Sequence, residues 1–312
     1  MSRKLARESS RHHHSQPPSA KHSNKKHLTT KQHRPDVRPA FRPKTKHPKI
    51  KNPHYYLYGF HAVAAALLNP QREKIKLHLT PEVKAKLEKN SALKNILSQL
   101  ATESAVNITN RYGIDQRFAD ILENAPHQGV VFETKPIAHI DLKHYLENII
   151  TINQSQNHHC FLLLDKLQDA HNIGAILRSA DYFNIDGIVL PERHTAPESA
   201  AMAKSASGAL ESIPLIRVSN LSQALQIFKK NGFWIYGLQQ NGEHHLENIM
   251  FDKKSILVLG QEGDGISAMI DAKTDFSIAI HRTKHNNQID SLNVSNAVAI
   301  ALYHWSITAY KK

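Results

Sequence analysis

A chain of 312 residues has room for about two domains. Its single cysteine, Cys160, excludes a disulfide framework, and no apolar run nears the ~18 residues that span a bilayer. The formal charge of +13 is confined to one end: residues 1–52 hold 15 Lys/Arg against 2 acids, and the remainder balances.

This basic stretch, rich in His, Pro and Ser, has almost nothing to bury and is expected to be a disordered tail. Its charge suits a polyanion, RNA or DNA before a membrane, because no apolar face accompanies it. His12-His13-His14 lies within it, without the fixed geometry that a metal site needs. The Arg/Ser-rich start has the composition of a mitochondrial transit peptide but not its apolar face. A reducing cytoplasm is the expected compartment, with Cys160 a buried, inert thiol in an apolar run.

From residue 55 the pattern changes. Residues 59–68 read as a helix stopped by Asn69-Pro70, and 74–79 alternate as a strand. Pro81 opens a helix to about 89, and a second helix comes near 93–103. A short strand at 105–108, a helix near 115–123 and a strand at 129–132 complete a small α/β domain. A polar stretch, 153–159, separates it from the C-terminal half of the chain. The expected division is a tail 1–52, an RNA substrate-binding domain 53–138, a linker 139–158 and a catalytic domain 159–312.

Beyond 159, strands are expected at 160–165, 187–190, 213–217, 233–239, 255–259 and 276–280. Helices are expected near 173–183, 197–210, 220–230, 265–271 and 294–308. Such alternation predicts a parallel sheet with helices on both faces, where ligands bind at the carboxyl ends of strands.

Three segments lie just past such ends. In the first, Asn172 is placed to cap a helix, and Gly174 and Arg178 share a face four residues apart. The glycine would leave room for another chain or a ligand to approach the guanidinium; the plainer reading is a cap and a surface arginine. In the second, the strand 255–259 enters Gly260-Gln261-Glu262-Gly263-Asp264-Gly265, whose glycines permit tight turns and whose acids suit a positively charged ligand rather than a pyrophosphate. The plainer reading is a strand-to-helix turn. The third, Ser291-Leu292-Asn293-Val294-Ser295, leads a polar loop into an apolar helix, where Ser291 and Asn293 suit capping, ligand contact or both.

Together these segments resemble the SpoU (TrmH) family of RNA 2′-O-ribose methyltransferases, in the α/β-knot (SPOUT) superfamily. Its motifs run N-x-G-x-x-x-R, strand-G-x-E-x-x-G and S-L-N-V-S. Ala206-Ser207-Gly208-Ala209-Leu210-Glu211 and the start Tyr58-Gly59-Phe60-His61 are similar to the branch that methylates a guanosine of bacterial 23S rRNA. The resemblance implies a C-terminal trefoil-knotted parallel-sheet domain, a small ribosomal-protein-like N-terminal α/β domain and a homodimer with its active site near the interface. It implies S-adenosyl-L-methionine held by backbone around Gly260, Ile280 and Leu292. Arg178, Asn172, Glu262, Ser291 and Asn293 are then the catalytic set, with no metal. RNA is the implied partner, rRNA before tRNA, with no membrane. The chain departs from relatives that carry I-P-x-x-G before the third motif: residues 281–290 hold neither proline nor glycine, and add Arg282, Lys284 and His285.

A tRNA methyltransferase is the nearest rival reading. A non-catalytic ribosome-assembly factor also fits the basic tail, though it leaves the polar residues of the three motifs unexplained. A metalloenzyme lacks support in spacing: 22 histidines form no H-E-x-x-H, and there is no paired C-x-x-C.

Overall fold

The computed structural model describes residues 55–122, 125–152, 158–261, 263–282 and 291–309. The expected tail, Glu262 and most of the 281–290 loop lie outside them.

Among the described residues the chain forms two sheets. The first lobe contains β1 (Tyr55–Tyr58), α1 (Phe60–Leu68), β2 (Lys76–Leu79), α2 (Pro81–Leu87), α3 (Ser91–Thr102), β3 (Val106–Ile108), α4 (Arg111–Leu122) and β4 (Val130–Thr134). Its strand order is β1-β4-β2-β3, with β2 and β3 parallel and the other pairs antiparallel. Thr80 caps α2 by accepting from Val83 N, with Pro81 in the first turn where its missing N–H costs nothing. Residues of α1 and α3 pack with Leu57, Leu77 and Phe132. Ile114, Phe118 and Leu122 of α4 pack with Tyr58 and Val131.

The second lobe runs α5 (Leu142–Ile152), β5 (His159–Leu164), α6 (Ala170–Tyr182), β6 (Gly187–Pro191), α7 (Ala200–Ala206), β7 (Leu215–Val218), α8 (Leu221–Lys230) and β8 (Trp234–Leu238). It continues through β9 (His244–His245), β10 (Lys254–Leu259), α9 (Ala268–Asp271), β11 (Phe276–Ala279) and α10 (Val294–Thr308). The strand order is β7-β6-β5-β10-β8-β11-β9, all parallel. Parallel strands are covered on both faces, which is why Phe161–Leu164 and Ile256–Leu259 are continuous apolar runs. Cys160, Leu162 and Leu164 pack with α6, α7 and α10. Phe161 and Leu163 pack with α5 and α8. Burial, then the nearby Asp186, pushes the Cys160 thiol well up, so it is inert.

Several elements depart from the sequence-based expectation. The linker 139–158 carries α5, whose Leu142 and Leu146 are buried against the second lobe's sheet. β1 and β9 were not anticipated. The helix expected over 197–210 breaks at Ser207, which takes a left-handed conformation (φ 57°), and a short 3-10 turn comes next at Ala209–Glu211. The helix expected near 173–183 starts at Ala170 and is capped by Asp169, which accepts from His171 N; Asn172 lies inside it. The knot expected for the C-terminal segment depends on the path through 283–290, outside the described residues.

The lobes share one apolar cluster and a polar clamp. Arg72, 2% exposed, donates from Nε and Nη2 to Glu211 and from Nη1 to Lys135 O, and its Nη2 lies 2.7 Å from Glu198 Oε1. Burial works against its charge, but the two carboxylates outweigh it and raise the arginine's pKa. No helix among the described residues is long and apolar enough to cross a membrane.

Candidate functional site

The order of strands leaves β5 in opposite directions, β6 and β7 to one side and β10 to the other, which makes the β5/β10 boundary the switch point where such sheets bind ligands. The loops there are tied together by Asp165. Its N–H donates to Leu259 O at 2.8 Å, and its Oδ2 accepts from Ser267 N at 2.9 Å. Asp165 is 3% exposed and was not singled out in the sequence.

Asn293 caps α10, as its position before the apolar run predicts. Its Oδ1 accepts from Ser295 N at 2.9 Å and from Ser295 Oγ at 2.6 Å. Its Nδ2 donates to Asn172 Oδ1 at 3.1 Å. The third segment is thereby joined to the first across the carboxyl edge of the sheet, each amide fixing the other's orientation.

Arg178 is placed differently. Six residues after Asn172 it lies about 9 Å further along α6 and about 240° around it, so the two do not share a face. It is exposed, and among the described residues its side chain makes no hydrogen bond or ion pair. It lines a cavity of about 640 Å³ with His61, Asp181, Tyr182, Ser207 and Ser212. Gly174 does not open a path to it. A Cβ there would lie 2.5 Å from Met202 O and from Ser205 Cβ, so the glycine lets α6 press against α7. His171 Nδ1 and Ser205 Oγ, 2.9 Å apart, reinforce that contact.

Gly260 directly follows β10 and is required by its own loop. A Cβ would sit 1.8 Å from Gly265 O, and an isolated bridge pairs Gln261 with Gly265. Gly263 and Gly265 have φ of 99° and 68°, conformations that side chains resist. Ile280 comes directly after β11, partly buried against the core. Because β8 lies between β10 and β11, Gly260 and Ile280 are two strand spacings apart, roughly 10 Å. Ser291 is exposed, and Leu292 is 50% exposed, apolar surface that a ligand would cover. Glycine backbone, an apolar rim and paired amides fit an uncharged adenosine portion with polar groups at one end.

One cluster escaped the spacing rules used for metals. Ligand atoms of His245, Glu247 and His281 lie within 4.8 Å of one another, brought together by β9 pairing with β11. All three are exposed, with His281 Nδ1 3.9 Å from Glu247 Oε1.

Comparison with known proteins places these features. The model of the SpoU rRNA Methylase family matches residues 159–303, and that for RNA 2′-O ribose methyltransferase substrate binding matches 56–139. A Staphylococcus aureus (strain COL) protein assigned to the TrmH family of tRNA/rRNA methyltransferases is 33% identical, covering 79% of this chain and 93% of the relative. A Staphylococcus epidermidis protein with the same assignment is 32% identical, with the same coverage. Among solved structures, the SpoU methyltransferase AviRb from Streptomyces viridochromogenes, in complex with the cofactor AdoMet, aligns with TM-score 0.63. That alignment has 19% identity over 83% of this chain and 92% of that one. An AdoMet-bound rRNA methyltransferase from Sinorhizobium meliloti aligns with TM-score 0.63 and 18% identity, over 81% of this chain and 87% of the other. These two share the fold. The sequence relatives decide the assignment: the chain belongs to the SpoU (TrmH) family of RNA 2′-O-ribose methyltransferases.

Proposed function

We propose that this protein methylates the ribose 2′-hydroxyl of a guanosine in 23S rRNA, with S-adenosylmethionine as donor. The observation that carries the reading is the Asn293–Asn172 hydrogen bond, which joins two motifs at the sheet's switch point. Bound there, the donor supplies a methyl group on a positively charged sulfur. Backbone around Gly260, Ile280 and Leu292 holds it. Glu262, outside the described residues, would join the residues that orient the ribose and the donor's methionine portion.

A ribose hydroxyl is a weak nucleophile, so most of the work is placement, worth roughly 7–11 kcal/mol in favourable cases. Asn172, Ser291 and Asn293 orient the ribose and the donor's methionine end. Arg178 keeps its proton and so is not the base. It holds the target's phosphate and stabilises the developing alkoxide while the hydroxyl proton passes to solvent water and the new O–CH3 bond replaces the donor's S–CH3 bond. An exposed guanidinium at a cavity wall suits such an anion.

Arg178 and the Asn172–Asn293 pair sit on different sides of α6. This arrangement suits a homodimer, in which one copy's arginine serves the other copy's cofactor loops. Ile300, Tyr303 and Ile307 support the pairing: they form an exposed apolar stripe at i, i+3 and i+7 on α10, the helix that Asn293 caps. The substrate-binding lobe favours rRNA, and the basic tail adds affinity without sequence choice.

Mapping ribose methylation in cells with and without the gene tests the reading. Loss of methylation at one 23S guanosine is expected. Loss at a tRNA position instead would make tRNA the substrate. No loss, with no S-adenosylmethionine binding by calorimetry, would leave an assembly factor.

A further inference from the structure

The cavity beside Arg178 is lined by polar and aromatic groups of α6 and by His61 of the first lobe. Arg178, Asp181 and Tyr182 are three and four residues apart, so they share one face of α6. Tyr182 is 82% exposed, an unusual cost for so large a ring, and it is held edge-on against Phe183 at 5.1 Å and 85°. Opposite stands the turn at Ser207 and Gly208, both left-handed (φ 57° and 109°). A Cβ on Gly208 would meet Ala65 Cβ at 3.1 Å, so the turn abuts α1 of the first lobe and brings His61 into the wall. Ser212 Oγ donates to Asp181 Oδ1 at 2.6 Å, fixing that carboxylate and leaving Oδ2 as an acceptor.

We infer that this seam cavity receives the target nucleotide itself, with Tyr182 stacking on the unstacked base and Asp181 reading a guanine. The inference rests on the proposed ribose methylation and extends it to recognition. Sequence-specific RNA recognition targets unstacked bases, which proteins meet with aromatic rings and hydrogen bonds to the Watson–Crick edge. Guanine alone presents two adjacent N–H donors there, at N1 and N2, which a carboxylate accepts. Arg178, one turn away, offsets Asp181's repulsion of phosphate and holds the nucleotide's own phosphate. About 640 Å³ accommodates one nucleotide. Because His61 comes from the first lobe, the pocket is complete only while the seam is closed.

The test uses the full chain, unmethylated transcripts of 23S rRNA and tRNA as acceptors, and guanosine and inosine 5′-monophosphates as binding probes. Tyr182→Ala should raise KM for RNA about tenfold, the scale of one lost stack, while Tyr182→Phe restores it and S-adenosylmethionine affinity stays unchanged. Inosine lacks the N2 amine, so wild type should bind guanosine monophosphate more tightly in competition NMR, and Asp181→Asn should erase that preference. If wild type methylates RNA but Tyr182→Ala leaves KM unchanged and the two nucleotides bind wild type equally, the pocket is not the recognition site. If wild type methylates neither RNA, the functional reading fails, and the nucleotide comparison alone decides the pocket.

Discussion

Arg72 and Glu211 meet edge to edge across the lobe seam, with Nε 2.9 Å from Oε2 and Nη2 2.8 Å from Oε1. The pair is buried, so its worth lies in what its removal leaves behind. Arg72→Ala strands two carboxylates in a dry seam and should cost about 3–5 kcal/mol. Urea unfolding measures this; a loss below about 1 kcal/mol would show that the seam is held by its apolar contacts alone.

A buried histidine makes the first lobe sensitive to acid. His78 is fully buried on β2, and Asn107 Nδ2 donates to its Nδ1 at 3.2 Å, which requires that nitrogen unprotonated. Burial, then Arg117 and Lys76, lowers its pKa to about 4. The unfolded chain, near 6.5, takes up the proton first. The stabilisation is therefore complete above pH 6.5, is lost as pH falls toward 4, and is flat below. The loss should approach ~3 kcal/mol. Melting temperature against pH, compared with His78→Phe, checks it: the variant should lack this segment of the curve.

Arg178→Ala should lower kcat about 10²–10³-fold, as expected for one lost donor to a developing oxyanion, without weakening S-adenosylmethionine binding. Near-wild-type turnover by a variant that still binds RNA would remove Arg178 from the reaction. Asn293→Ala should do two things at once: destabilise α10 by about 1 kcal/mol through the lost cap, and slow methyl transfer by removing its hydrogen bond to Asn172. A stability loss with undiminished turnover would reduce Asn293 to a cap.

Tyr303→Asp places a charge in the apolar stripe of α10. The proposed homodimer should then dissociate to monomers in light scattering and lose methyl transfer, while its circular dichroism is retained. A variant that stays dimeric would move the interface elsewhere.

Removing residues 1–52 should flatten the salt dependence of RNA binding, because each single-strand phosphate contact contributes about −0.7 to the log–log slope. An unchanged slope in filter binding would separate the tail from RNA.

Much of the second lobe was legible because its buried strands are continuous apolar runs, and Asn293 was legible as a cap because an apolar helix begins directly after it. Asn172 was misread. Asp169, His171 and Asn172 crowd the start of α6, and local pattern does not rank them. The role of Gly174 depends on Ser205, and that of Asp165 on Ser267, 102 positions away. Arg72, Glu198 and Glu211 are three charges among many and lie far apart in sequence, so composition does not show that they meet. β1 is short and begins with two aromatic residues that are only partly buried, so it lacks the alternation that marks a strand.

The helix in the 139–158 stretch bears on how the molecule can be divided. Leu142 and Leu146 of α5 cover Phe161 and Leu163 on the underside of the sheet. Freeing the C-terminal lobe by cutting after residue 158 would strip that cover and leave a sticky apolar floor, a recipe for aggregation during purification. The severing point that respects the packing lies ahead of Asp141, so α5 travels with the lobe it shields.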